Sequence, residues 1–111
     1  MDCYEIWVDL VPGTHDMEFV GAVHNWLGHL QAMGGVSSYR IKRRKLGFGP
    51  DFLGEWFISI EFENMAQADI AFDEAATRAP EVEKLHAEVY SKVCNYRSGL
   101  YRDFPDKVRK I

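Results

Sequence analysis

Apolar and polar residues alternate from the start of the chain, with Tyr4, Ile6, Val8 and Leu10 on one side of an extended segment and Glu5, Trp7 and Asp9 on the other. This predicts a first strand, broken by the turn signal Pro12-Gly13. Asp16 or Thr14 can cap a helix beyond the turn. From Met17 to Met33 the period changes: Phe19, Val20, Val23, Trp26, Leu27, Leu30 and Met33 recur at helical spacing, opposite Glu18, Asn25, Gly28 and Gln31. Gly34-Gly35 supplies a left-handed stop. Val36 to Leu46 alternates again, with Tyr39 and Ile41 against Ser38, Arg40 and Lys42, and the glycine-rich loop from Gly47 to Gly54 leads to a third strand. There Trp56, Ile58, Ile60 and Phe62 face one way, and Glu55, Phe57, Ser59 and Glu61 the other. Asn64 can cap a second helix carrying Met65, Ala68, Ala71, Phe72 and Ala75. Pro80 suits the first turn of a short helix that buries Val82, Leu85 and Val89. Val93 to Tyr101 completes the pattern as a strand, with a bend or bulge expected at Ser98-Gly99.

The order is therefore βαββαβ, which commonly gives an α+β ferredoxin-like domain: a four-stranded antiparallel sheet with its helices on one face. Residues 1–105 read as one such domain and 106–111 as a charged, loose tail. Helices need the apolar side of the sheet, so Ile6, Val8, Ile58 and Ile60 should lie beneath them. The second side would then carry Glu5, Trp7, Asp9, Phe57, Ser59 and Glu61. Left open, that mixture would expose large aromatics to water.

Composition sharpens this point. A chain of 111 residues, 47% apolar, has little room for a second layer of its own on that side, so a second copy is the natural cover. The net charge of -4 argues against a dedicated nucleic-acid binder. No apolar run approaches the roughly 18 residues of a membrane helix. No secretory leader precedes the first strand, so a cytosolic setting with reduced thiols is expected.

Carboxylates enclosed beside Trp7 and Phe57 would need water, cations or protons, because an unpaired buried charge costs several kcal/mol. Arg40, Lys42 and Arg97 are the cations within reach. Glu61 and Asp9 are thus candidate acid or base groups, and Glu5, Trp7, Phe57, Ser59, Arg40, Lys42 and Arg97 candidate ligand contacts. Aromatic residues also dominate cores and subunit contacts, so packing competes with ligand stacking for Trp7, Trp56 and Phe57. His86, beside the apolar Leu85, is a third candidate for moving a proton near neutral pH.

Other features favour structural readings. Cys3, Cys94 and the histidines lack metal-ligand spacing, so no metal and no cofactor are expected. His15, His24 and His29 read as surface or half-buried packing. The run Lys42-Arg43-Arg44-Lys45 is split between two faces and reads as a solvated strand end. The Gly47 to Gly54 loop lacks the spacing of a phosphate cradle; a flap beside the cavity is the alternative. Cys94, Ser59 and Ser98 lack a local base and oxyanion donors, which argues against covalent hydrolysis.

The opening strand Tyr4-Glu5-Ile6-Trp7-Val8-Asp9-Leu10, the long helix, the hairpin and the segment Ala79-Pro80-Glu81-Val82-Glu83-Lys84-Leu85-His86 together resemble the dimeric α+β barrel superfamily, which includes stress-responsive barrel proteins and antibiotic-biosynthesis-type monooxygenases. That resemblance implies a homodimer joined through its sheets and a pocket between sheet and helices or inside the barrel, with His86 near its mouth. It implies no single reaction. Three readings stay open: a barrel that binds a small organic molecule without proven catalysis, a cofactor-independent monooxygenase or isomerase, and a non-catalytic stress-associated protein with a filled barrel.

Overall fold

A computed structural model describes residues 1–77 and 79–106. It contains β1 (Asp2–Leu10), α1 (Asp16–Ala32), β2 (Ser38–Arg43), β3 (Trp56–Phe62), α2 (Met65–Ala76), α3 (Pro80–Tyr90) and β4 (Val93–Arg102). The strands form one antiparallel sheet in the order β2-β3-β1-β4. This is the α+β ferredoxin-like arrangement that the element order predicts. Of the tail 106–111, all but Asp106 lies outside the described residues; Asp106 forms an ion pair with Arg102 at 3.2 Å.

The alternation in β1 and β3 is kept in register. Ile6 pairs with Ile58 and Val8 with Trp56, so the apolar side of both central strands meets the helices. Helix α1 buries Phe19, Ala22, Val23, Trp26, Leu27 and Leu30 against it. The helix ends as its sequence requires. Gly34 adopts φ +88°, the Gly35 N–H donates to the Leu30 carbonyl at 2.8 Å and the Gly34 N–H to Gln31 at 3.1 Å, which satisfies two otherwise orphaned carbonyls. Its start differs from expectation: His15 occupies the cap position without a side-chain bond, and Asp16 is already the first helical residue. Asn64 does cap α2, its Oδ1 accepting from the Gln67 N–H at 3.0 Å.

Two further boundaries move. Strand β2 is shorter than the Val36 to Leu46 pattern, although the Ser37 and Arg44 N–H groups still bond Glu61 and Glu55 on or beside β3. The bulge in β4 falls earlier than Ser98-Gly99. Trp7 pairs with Arg97 and Asp9 with Cys94, so two residues, Asn95 and Tyr96, oppose the single Val8. Asn95 takes φ +55°, a left-handed conformation that asparagine tolerates better than most residues. Its side chain bonds Asp9, and Tyr96 turns toward the helices. Gly54 shows a close approach of another kind: a Cβ there would lie 2.3 Å from the Val8 carbonyl oxygen. Among the described residues, no helix is long and apolar enough to cross a membrane.

Candidate functional site

Between the sheet and the helices lies a cavity of about 370 Å³, in the size range of small-molecule sites. Its sheet wall is built by Tyr4, Ile6 and Val8 of β1, Ile58, Ile60 and Phe62 of β3, and Val93 and Tyr96 of β4. The helix wall comes from Val23, Trp26, Leu27 and Leu30 of α1, Ala71, Phe72 and Ala75 of α2, and His86, Val89 and Tyr90 of α3. Phe72, Tyr90 and Tyr96 line the space yet stay 40%, 49% and 47% exposed, which places them at its mouth.

His86 is stacked on Trp26 with ring centroids 4.6 Å apart and planes 11° from parallel, and meets Tyr90 edge-on at 5.1 Å. Burial pushes its pKa below the ordinary histidine value, against the opposing pull of the Glu83 carboxylate and of a bond to the Ala75 backbone. Burial here thus favours the uncharged imidazole. Tyr90 donates to Glu83 at 2.5 Å. Across the cavity the hydroxyls of Tyr4 and Tyr96 share a hydrogen bond. Burial is the main reason the Tyr96 phenol is pushed up to about 12; the bond to Tyr4 adds to this, while Ser98 acts the other way. Tyr4 in turn meets Phe72 edge-on at 5.3 Å.

The remaining sequence-derived candidates lie together on the opposite side of the sheet, as alternation places them. The register sets Lys42, Phe57, Trp7 and Arg97 in one row and Arg40, Ser59, Glu5 and Gly99 in the next. Trp7 and Phe57 pack edge-on at 4.9 Å, with the Lys42 ammonium 5.4 Å from the Phe57 ring. Most of the carboxylates here have local partners: Glu5 accepts from Ser59 at 2.8 Å and Glu61 from Ser38 at 2.9 Å. Asp9 accepts from Asn95 at 3.0 Å and from the Glu55 N–H at 2.9 Å. The Asn95 bond, then the Glu55 bond, then the more distant Arg44 charge hold its carboxyl below the usual range against a small cost of burial. Arg97 donates to the Tyr96 carbonyl at 2.9 Å, and Arg40 stays exposed. Burial and the nearby Glu5 and Glu61 charges push the Cys3 thiol upward, which disfavours a reactive thiolate.

The structure thus separates His86 from the other candidates by the thickness of the sheet. It also adds cavity residues that pattern reading passed over: Trp26, Tyr90, Tyr4 and Tyr96. Tyr4 carried a signal, a hydroxyl at a position alternating with Ile6 and Val8. Tyr96 carried none, because the bulge decides which way it points.

A smaller hollow of about 210 Å³ lies on the open side, between Trp7, Phe57 and the loop before β3. The basic run beside it is more structural than a solvated strand end. Arg43 pairs with Glu55 and with Asp16, and Arg44 donates to the Pro50 and Leu53 carbonyls at 2.9 and 2.6 Å, pinning the loop. Among the described residues, no cluster of three or more His, Cys, Asp or Glu side chains is placed to hold a metal ion.

By strand order and layering this is a ferredoxin-like α+β protein. Its sequence matches, over residues 1–111, the model of a family described as a family of unknown function (DUF6614), and the chain belongs to that family. No curated protein matches the sequence. Among solved structures, the chain is similar to a variant of SnoaB, a cofactor-independent oxygenase from Streptomyces nogalater, at 9% identity and TM-score 0.68 over 95% of this chain and 97% of that one. It is similar to a dimeric ferredoxin-like protein of unknown function from Jannaschia sp. CCS1, at 12% identity and TM-score 0.63 over 93% and 100%. A dabb family protein with a ferredoxin-like fold from Mesorhizobium loti matches at 16% identity and TM-score 0.61 over 93% and 96%.

Proposed function

We propose that residues 1–105 form one cytosolic domain that pairs with a second copy through the open side of its sheet and binds a small organic molecule in the cavity beneath its helices. The observation that carries the reading is the cavity itself, about 370 Å³ with a wall that is apolar except for an imidazole, an indole and tyrosine hydroxyls. A filled barrel, the third reading, has no use for such a space. Pairing is supported by the half-buried Trp7–Phe57 contact on the uncovered side and by similarity to a protein described as dimeric.

Sedimentation velocity on the purified protein should give a dimer, and the uncharged dye N-phenylnaphthylamine should brighten on binding. Val89→Trp fills the cavity and should weaken dye binding about tenfold or more, in line with the burial energy of one large side chain. A monomer that binds no dye overturns the reading.

A second reading, a cofactor-independent oxygenase or isomerase, is favoured by one observation: His86 lines the cavity, where burial favours the uncharged imidazole that can accept a proton from a substrate. Oxygen consumption with a panel of phenolic and quinone-like compounds tests it. Loss of the true base should cost a factor of about 100 or more. A drop of that size in His86→Ala, with Glu61→Gln and Asp9→Asn unaffected, would assign the base to the cavity; the reverse would assign it to the open side.

A further inference from the structure

The cavity's chemistry restricts what it takes. Although several charged groups crowd the opposite side of the sheet, no described Asp, Glu, Lys or Arg lines the cavity, and all charged residues described are outside the buried core. Among the described residues a charge carried inside would find no counter-ion on the cavity wall, at a cost that typically reaches several kcal/mol. At the mouth, Tyr90 donates to the Glu83 carboxylate. The polar feature on the sheet wall is the hydroxyl pair of Tyr4 and Tyr96. Two hydroxyls hold two hydrogens and only one lies between their oxygens, so one O–H remains to donate.

Resting on the cavity reading above, we infer that the ligand is an uncharged molecule with an apolar body and one acceptor oxygen, a carbonyl, ether or hydroxyl, that takes a hydrogen bond from the Tyr4–Tyr96 pair. The body lies along the Trp26–His86 stack, and the oxygen sits near the mouth, where Tyr96 is half exposed.

Two dyes of the same aromatic frame test the charge. N-phenylnaphthylamine is neutral, and anilinonaphthalene sulfonate carries a sulfonate. The neutral dye should bind at least about tenfold more tightly, the ratio that one poorly compensated charge contributes at a partly open site. Displacement of the neutral dye by naphthol and by naphthalene tests the oxygen. Naphthol should compete about fivefold better, the worth of one net hydrogen bond, and the advantage should vanish in the double variant Tyr4→Phe/Tyr96→Phe, which keeps both rings and removes both hydroxyls. Equal binding of the two dyes, both lost in Val89→Trp, overturns this inference while leaving the cavity reading intact. So does a naphthol advantage that survives in Tyr4→Phe/Tyr96→Phe. Neutral-dye binding unaffected by Val89→Trp overturns the cavity reading itself.

Discussion

The two sides of one sheet carry opposite chemistries. The side under the helices encloses a space walled by Ile, Val, Leu and aromatic rings, with its hydroxyls and one imidazole as the polar groups. The other side carries most of the sheet's charge, and most of that charge is spoken for: Glu5 by Ser59, Glu61 by Ser38, and Asp9 by Asn95 and Glu55. A carboxylate that already accepts local hydrogen bonds is worth more to the fold than to a substrate, whereas the half-buried His86 lines the cavity, stacked on Trp26. The contrast shifts the search for chemistry from the acid-rich side toward the apolar one.

The largest expected effect separates the two sides by assembly. Phe57→Asp places a charge in the row with Trp7 and should weaken dimerisation by a factor of about 30 or more, as loss of a central aromatic contact does. Sedimentation velocity over a concentration series reads it; an unchanged dimer means that the interface lies elsewhere. Next, Gly54→Ala forces a methyl against the β1 backbone and should cost about 1–3 kcal/mol of stability in urea denaturation, because the contact is main chain and cannot swing aside.

Asp9→Ala removes the acceptor for the Glu55 N–H and the Asn95 amide and should cost about 1–3 kcal/mol. Because the Asp9 pKa is lowered by folding, its contribution is complete above the unfolded value of 3.8 and is lost as pH falls through the lower folded value. The variant should therefore show a flatter loss of stability in acid than the natural chain.

A pH titration compares the sides directly. His86 binds its proton less readily when folded, so the unfolded chain takes up the proton first: stability should decline as pH drops below 6.5 and level off below the folded pKa. His86→Gln should abolish that step, and the His86 ring signals in NMR should titrate below the ordinary histidine range. The smallest effect concerns the bulge. Asn95→Gly suits φ +55° and removes only the bond to Asp9, whereas Asn95→Val must strain and should cost about 1 kcal/mol more.

Much of this was legible in the chain. Two-residue alternation in Tyr4 to Leu10 and Trp56 to Phe62 separated the faces correctly, because side chains of a strand have no other way to point. The Gly34-Gly35 stop and the Asn64 cap were readable because their function depends on local backbone groups alone. The limits of β2 were not, since strand ends depend on what the neighbour offers. The candidate site was only half legible: His86 belongs to the cavity, and the acids that looked more reactive lie on the far side of the sheet, most with partners of their own.

By itself the sequence determined the order of elements and the two chemistries of the sheet, both consequences of local period. Only the tertiary structure decided where the empty space lies and which residues reach it. Tyr96 faces Tyr4 because one extra residue in β4 resets the alternation, and His86 meets Trp26 because two helices distant in sequence pack over the same strands. Register and helix packing are long-range geometry, and neither is encoded in any short run of residues.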